Sequence, residues 1–277
     1  MLVNKITKQW IDAYIKHPKA AVLLDSEDET SFKEVTDFLH KELIGKSNNP
    51  YIVISSEDKK TIGVEKIREL KKQLSLRANN SSNAISRMIV IEEAHAMTLE
   101  AQNALLKLIE ELPDKTIVCL TSSHAAELLA TVTSRCFIIK LLPLEKETAL
   151  SYAKTQGVTD SDAERFYAMS AGFSGLFISL IDDDPSGVTR YIIGAKTFLS
   201  STVFERQKLI TGMVKNPEDI PMQLRGLRII ALAGLRAGEP KAKLLYKKIL
   251  EEVALTEKQL SANVSTKLAL LRLSVSI

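Results

Sequence analysis

Aromatic residues make up only 5% of this 277-residue chain, and tryptophan occurs once. A core must therefore be built from Leu, Ile, Val and Ala, which suits helices. Cysteine is scarcer still, with Cys119 and Cys136 the whole complement. Two cysteines and no C-x-x-C pair exclude a disulfide framework and fit buried thiols in a reducing compartment. The four histidines, His17, His40, His95 and His124, have no metal-ligand spacing, so no zinc site and no cofactor is expected. No window of about 18 apolar residues occurs, and the opening MLVNKITKQW lacks the apolar run of a signal peptide. A soluble, cytoplasmic protein with no membrane partner is expected. Net charge is +3 with both signs dispersed. That does not mark a dedicated nucleic-acid binder, and a local basic face stays open.

What the chain does have is an ordered series from Arg87 to Cys136. An apolar run, Met88-Ile89-Val90-Ile91, ends on two carboxylates, Glu92 and Glu93. A buried strand that stops at acidic residues delivers them to the carboxyl edge of a sheet, where open α/β folds bind ligands. Thr98 then reads as the N-cap of a helix bearing Ala101, Leu105, Leu108 and Leu112 on one face and stopped by Pro113. A second strand, 116–121, leads to Ser134-Arg135-Cys136 and a further strand, 137–141. Taken alone, an acidic strand end is ordinary solvation, and a lone Ser-Arg-Cys is uninformative.

The whole series resembles the core of the clamp-loader branch of the AAA+ ATPases. IVIEEAH looks like a Walker B strand, NALLKLIEELP (Asn103 to Pro113) like its following helix, and SRC like the family's trans-acting arginine motif. Within that branch the chain is most similar to the delta-prime family, which shares an IRELQ-like segment like the one at Ile67 to Leu70. The resemblance implies an α/β fold: a P-loop-type parallel sheet domain over residues 1–142, a small helical lid over 143–184 and an all-α collar for oligomerisation over 185–277. The zinc module of four cysteines carried by many of these relatives is missing here.

Upstream, residues 5–16 read as an amphipathic helix with Ile6, Trp10 and Tyr14 on one side, and 20–24 as a buried strand. The resemblance places a phosphate-binding loop after this strand. Such loops use glycine to bring backbone N–H groups around phosphates and lysine to balance their charge. Here the loop reads Asp25-Ser26-Glu27-Asp28-Glu29-Thr30-Ser31, with neither residue type and four carboxylates. Like charges at such range repel by roughly 1 kcal/mol each even in water, so no nucleotide is expected to bind. Gly45-Lys46-Ser47 imitates the tail of a P-loop but follows a helix, so Gly45 reads as its C-cap. That helix is expected to open on a Ser31–Glu34 capping box, with Val35, Phe38 and Leu39 as its stripe. Strand 51–55, a helix from Ile62 with Ile67, Leu70 and Leu74 aligned, and a polar loop over 78–83 complete this half.

Beyond Leu142 the register is helical: three short helices at 145–156, 160–170 and 175–181, an Asp182–Ser186 linker, then helices at 187–200, 202–214, 219–237, 241–254 and 256–275. By the resemblance, Glu92 stands where a Mg²⁺-binding aspartate is usual, Glu93 where a carboxylate orients attacking water, and Ser122 and Ser123 where a nucleotide-sensing residue lies. The third lid helix lacks the sensing arginine, since Gly172-Phe173-Ser174-Gly175-Leu176 contains none. Arg135, flanked by Ser134 and Cys136, is then expected to reach a neighbour's ATP, because a guanidinium is always charged and forks onto phosphate oxygens. The resemblance implies a subunit without ATPase activity of its own. It implies as partners the motor (gamma/tau) and delta subunits of a clamp loader, and through them the sliding clamp and primer-template DNA. An active motor of gamma/tau type, or a scaffold that kept only the fold, are the rival readings.

Overall fold

The computed structural model describes residues 1–45, 51–56, 61–76, 85–182, 187–237, 240–262 and 264–277. The polar loop over 78–83, Lys46-Ser47 and most of the Asp182–Ser186 linker lie outside them. The chain divides into two compact units. The first is Met1–Leu144 with Phe173–Gly175; the second is Glu145–Gly172 with Leu176–Ile277.

The first unit is built on five parallel strands, β1 (Ala21–Asp25), β2 (Ile52–Ile54), β3 (Arg87–Ile91), β4 (Thr116–Ser122) and β5 (Phe137–Lys140). Their order across the sheet is β2-β3-β4-β1-β5. Because side chains alternate across a strand, the central strands β1, β3 and β4 each feed two cores. Leu23, Ile89, Ile91, Val118 and Leu120 pack on one face with Ile67, Leu70 and Leu74 of α3 (Val64–Leu76) and Ala101, Leu105 and Leu108 of α4 (Leu99–Glu110). Val22, Leu24, Val90, Ile117 and Cys119 pack on the other with Ile11 and Tyr14 of α1 (Lys5–Lys16) and Val35 and Leu39 of α2 (Thr30–Ile44). Fully burying one such Leu or Ile contributes about 1.5–3 kcal/mol. Burial on both faces explains why these strands read as continuous apolar runs.

Two local expectations are corrected. The inward stripe of α1 is Thr7, Ile11 and Tyr14, while Ile6 is exposed. Thr7 earns its buried place by donating to Lys140 O (2.8 Å) and accepting from Leu142 N–H (3.0 Å) at the end of β5. The Ser31–Glu34 capping box does not form. Helix α2 starts two residues earlier behind Glu29, whose side chain makes no cap, and Glu34 instead accepts from Leu2 N–H at 3.1 Å. Gly45 does end α2, at φ 79°, and Thr98 caps α4 through Ala101 N–H.

Among the described residues the second unit is built of helices joined by short turns. A short α5 (Ala130–Thr133) still belongs to the first unit; then come α6 (Lys146–Thr155), α7 (Asp160–Ser170) and α8 (Ser174–Ile181), whose first two residues also belong to the first unit. Helices α9 (Val188–Ser200), α10 (Val203–Met213), α11 (Ile220–Ala237), α12 (Pro240–Ser261) and α13 (Thr266–Ser276) follow. The expected break near residue 255 is absent: α12 runs on to Ser261, since Leu255-Thr256-Glu257 contains no helix breaker. Phe198, Ile210, Leu224, Leu227, Ile249 and Leu270 centre this core. Arg206, only 8% exposed, donates from Nε to Phe198 O (2.9 Å), from Nη2 to Leu199 O (3.0 Å) and from Nη1 to Ser274 O (3.2 Å) and Ile277 O. One buried guanidinium thus satisfies carbonyls at the carboxyl ends of α9 and α13.

Candidate functional site

Because every strand is parallel, the carboxyl edge of the sheet gathers the ends of β1, β3 and β4. The loop leaving β1 folds on itself there. Ser26 Oγ accepts from Asp28 N–H and donates to Asp28 O, both at 3.0 Å. The Asp28 carboxylate, 6% exposed, accepts from Thr30 Oγ1 and from Ser31 Oγ (3.3 Å) at the amino end of α2. A helix amino terminus attracts negative charge, and here the chain's own carboxylate lies at it. Ser31 Oγ also accepts from Gly175 N–H at 3.0 Å and lies 3.4 Å from Ser174 Oγ. The approach is close enough that a Cβ on Gly175 would fall 2.3 Å from Thr30 C.

Glu92 and Glu93 part company at the end of β3. Glu92 is exposed; its N–H donates to Ile54 O at 2.8 Å. With Glu93, Lys33, Thr36, Tyr51 and Thr121 it lines a cavity of about 250 Å³. Glu93 turns back through a left-handed backbone conformation, φ 48°. Its N–H donates to Thr121 Oγ1 (3.1 Å), and its Oε2 accepts from Ser123 Oγ (2.9 Å) and lies 3.0 Å from His95 Nδ1. Burial pushes Glu93 up, but the bonds from His95 and Ser123 outweigh it and hold the carboxyl below its ordinary value. The Glu93 bond in turn raises His95 above its ordinary value, against a smaller opposing effect of burial. Ser122 Oγ, fully buried, sits 3.2 Å from His95 Nδ1 and accepts from His124 N–H. The rings of His95 and His124 are 4.9 Å apart. Glu93, Ser122 and Ser123 therefore meet, as their places in the sequence suggested, around two histidines that the motif reading passed over. The signal available was Glu-x-His directly after a strand. Among the described residues no group of three His, Cys, Asp or Glu could hold a metal ion.

Ser134, Arg135 and Cys136 lie elsewhere. Ser134 ends α5 and bonds Thr131 O. Cys136 turns inward, its thiol bonded to Val132 O and pushed up to about 12 by burial. Arg135 is exposed. Its Nε and Nη2 meet Glu110 Oε1 at 3.0 and 2.8 Å, and its Nη1 donates to Thr131 O at 3.1 Å. The register Val22↔Phe137 sets the start of β5 beside the start of β1, so Arg135 stands at the amino edge of the sheet. The acidic pair and the Asp25–Ser31 loop stand at the carboxyl edge. A five-residue strand is about 16 Å long, so the structure separates the two groups and puts neither in contact with the other.

This strand–helix order has relatives. A family model described as DNA polymerase III, delta subunit, matches residues 14–145. DNA polymerase III subunit delta' of Buchnera aphidicola is 31% identical over 168 residues, 60% of this chain and 45% of that protein. The subunit delta' of Escherichia coli is 30% identical over 135 residues, 48% of this chain and 40% of that protein. Through this region the chain is similar to the DNA polymerase III delta-prime family. The aligned part spans less than half the length of these two delta-prime relatives. A replication factor C small subunit of Aeropyrum pernix is 22% identical over 237 residues, 83% of this chain and 66% of that protein. A solved structure, a DNA polymerase III gamma subunit-related protein from Thermotoga maritima, superposes with a TM-score of 0.59 at 16% identity and covers 97% of each chain. That likeness shows the fold, a parallel α/β domain with helices following. Among the described residues no helix is long and apolar enough to cross a membrane.

Proposed function

We propose that this chain is a non-hydrolysing delta-prime-type subunit of a bacterial clamp loader, lending Arg135 to the ATP of an adjacent motor subunit. The observation that supports this reading is the separation of edges. Arg135 is exposed at the amino edge of the sheet, a strand's length from the carboxylates and loop that would form the chain's own nucleotide site. An arginine so placed can serve a phosphate only outside its own subunit. In nucleotide hydrolases such an arginine is worth about 10³–10⁵ in rate.

The chain's own seat argues the same way. Asp28 already supplies the negative charge at the start of α2, and Ser174-Gly175 is packed on Thr30-Ser31. ATP would have to displace both and face Glu27 and Glu29, in a loop that has no lysine of its own. On this reading Ser134 and Cys136 shape the turn that presents Arg135, and Glu92, Glu93, Ser122 and Ser123 serve structure. Residues 143–184 act as a lid and 185–277 as an oligomerising collar, and the protein works in the cytoplasm. Its partners are the motor (gamma/tau) and delta subunits and, through the assembly, the sliding clamp and primed DNA.

The test is to reconstitute the chain with the motor and delta subunits of the same cell and compare clamp-stimulated ATPase with Arg135 and with Arg135→Ala. A fall of at least tenfold, with the assembly intact on sizing, is expected; an unchanged rate removes the assigned role. Isothermal titration of the chain alone with ATP is expected to show no binding, and saturable binding would favour a motor.

A further inference from the structure

Arg135 does not hang free at its edge of the sheet. We infer that Glu110, at the last turn of α4, is its positioning residue, holding the guanidinium so that one pair of N–H groups faces a neighbour's phosphate. This rests on the reading of Arg135 as a trans-acting arginine.

A guanidinium has five N–H groups in a fixed plane. Glu110 Oε1 takes the side formed by Nε (3.0 Å) and Nη2 (2.8 Å), and Thr131 O takes one N–H of Nη1 (3.1 Å). One N–H on Nη1 and one on Nη2 are left to donate to oxygens of a phosphate. The grip comes from two elements that the fold fixes independently. Glu110 closes α4, whose Leu105 and Leu108 are anchored in the core, and Thr131 sits in α5, anchored by Val132. An arginine side chain has much rotamer freedom to lose, and the carboxylate and carbonyl remove a large part of it before any phosphate arrives. Both partners are solvent-exposed, 42% for Arg135 and 55% for Glu110, so the pair adds little to folding stability. Its geometry is instead that of preorganisation, in which misplacement by about 1 Å can cost 10²-fold in rate. Neighbouring Glu111 is already committed to Lys71 at 2.6 Å, so it does not stand in for Glu110.

The experiment compares Glu110→Ala, Glu110→Gln, Arg135→Ala and the Glu110→Ala/Arg135→Ala double variant in the reconstituted assembly, measuring kcat and KM for ATP together with assembly by sizing. We expect Glu110→Ala to lower kcat about 10- to 100-fold with KM within about twofold and assembly unchanged. Glu110→Gln, which keeps an acceptor oxygen, is expected to fall in between, and the double variant to match Arg135→Ala. Wild-type kcat in Glu110→Ala alongside a slow Arg135→Ala would overturn the inference and leave the arginine's role standing. So would a further loss in the double variant, or a rate above wild type, which would make Glu110 a restraint. An Arg135→Ala assembly at full speed overturns the parent reading instead. If Glu110→Ala assembles poorly, Glu110→Gln decides, wild-type kcat in it being the overturning result.

Discussion

Replacing Gly175 by alanine probes the contact at the amino end of α2 most directly. The added Cβ would stand 2.3 Å from Thr30 C and 2.5 Å from both Ser31 N and Thr30 O. All three are backbone atoms, so no flexible side chain can swing away. Relief requires moving the 173–175 segment off α2, which lengthens the 3.0 Å bond from Gly175 N–H to Ser31 Oγ. Overpacking of this kind costs about 1–3 kcal/mol, and a buried hydrogen bond adds about 1 kcal/mol. Against this, alanine gains about 0.5–1 kcal/mol over glycine in a helix. The net loss is then about 1–3 kcal/mol, and at roughly 2–4 °C per kcal/mol the thermal midpoint falls by about 2–12 °C. Gly212 in α10 is the control, because a Cβ there meets nothing within 4 Å; its alanine variant is expected to melt at or slightly above wild type. Both variants are followed by circular dichroism on heating. If Gly175→Ala melts no lower than Gly212→Ala, the close approach of 173–175 to α2 is refuted, and with it the account of how that seat is filled.

Other expectations are independent of that contact. Arg206→Leu strands carbonyls of Phe198, Leu199 and Ser274; at about 1–3 kcal/mol for each buried group left unsatisfied, a loss of several kcal/mol in urea unfolding is expected, and wild-type stability would show that the guanidinium is dispensable. Gly226→Ala brings a Cβ to 2.5 Å from Tyr191 O between α9 and α11 and is expected to lower the melting midpoint through overpacking, an unchanged midpoint counting against that packing. For His95→Asn the pH profile is the readout. His95 is raised from 6.5 and Glu93 lowered from 4.5. The pair therefore stabilises fully between those two ordinary values. Its contribution is lost as pH rises through the raised value of His95, and again as pH falls through the lowered value of Glu93. The melting gap between wild type and variant should be widest at about pH 5–6 and narrow as pH rises through the raised value of His95; a gap independent of pH would refute the ion pair.

The parallel sheet was legible because burial on both faces leaves an uninterrupted apolar signature, as in Met88–Ile91 and Thr116–Thr121. Gly45 and Thr98 gave away helix ends through their special backbone and side-chain chemistry. Thr7 was illegible as an inward residue, since its place depends on Lys140 and Leu142, more than 130 positions away. The Ser31 cap misled for a similar reason: its hydroxyl donates to Asp28 and accepts from Gly175 N–H in place of its own helix, and only the fold brings Gly175 there. Glu110 had no local mark at all. An acidic residue in the last turn of a helix runs against the helix dipole, and its partner Arg135 comes 25 positions later.

The two rims of the sheet give this molecule a direction. One rim can hand a cation outward, while the other is plugged by the chain's own aspartate and a serine–glycine pair. Copies or cousins joined head to tail through such rims would pass an arginine from each member to the next. On the proposed function, a member that gives without receiving would end the sequence of working sites in such a row.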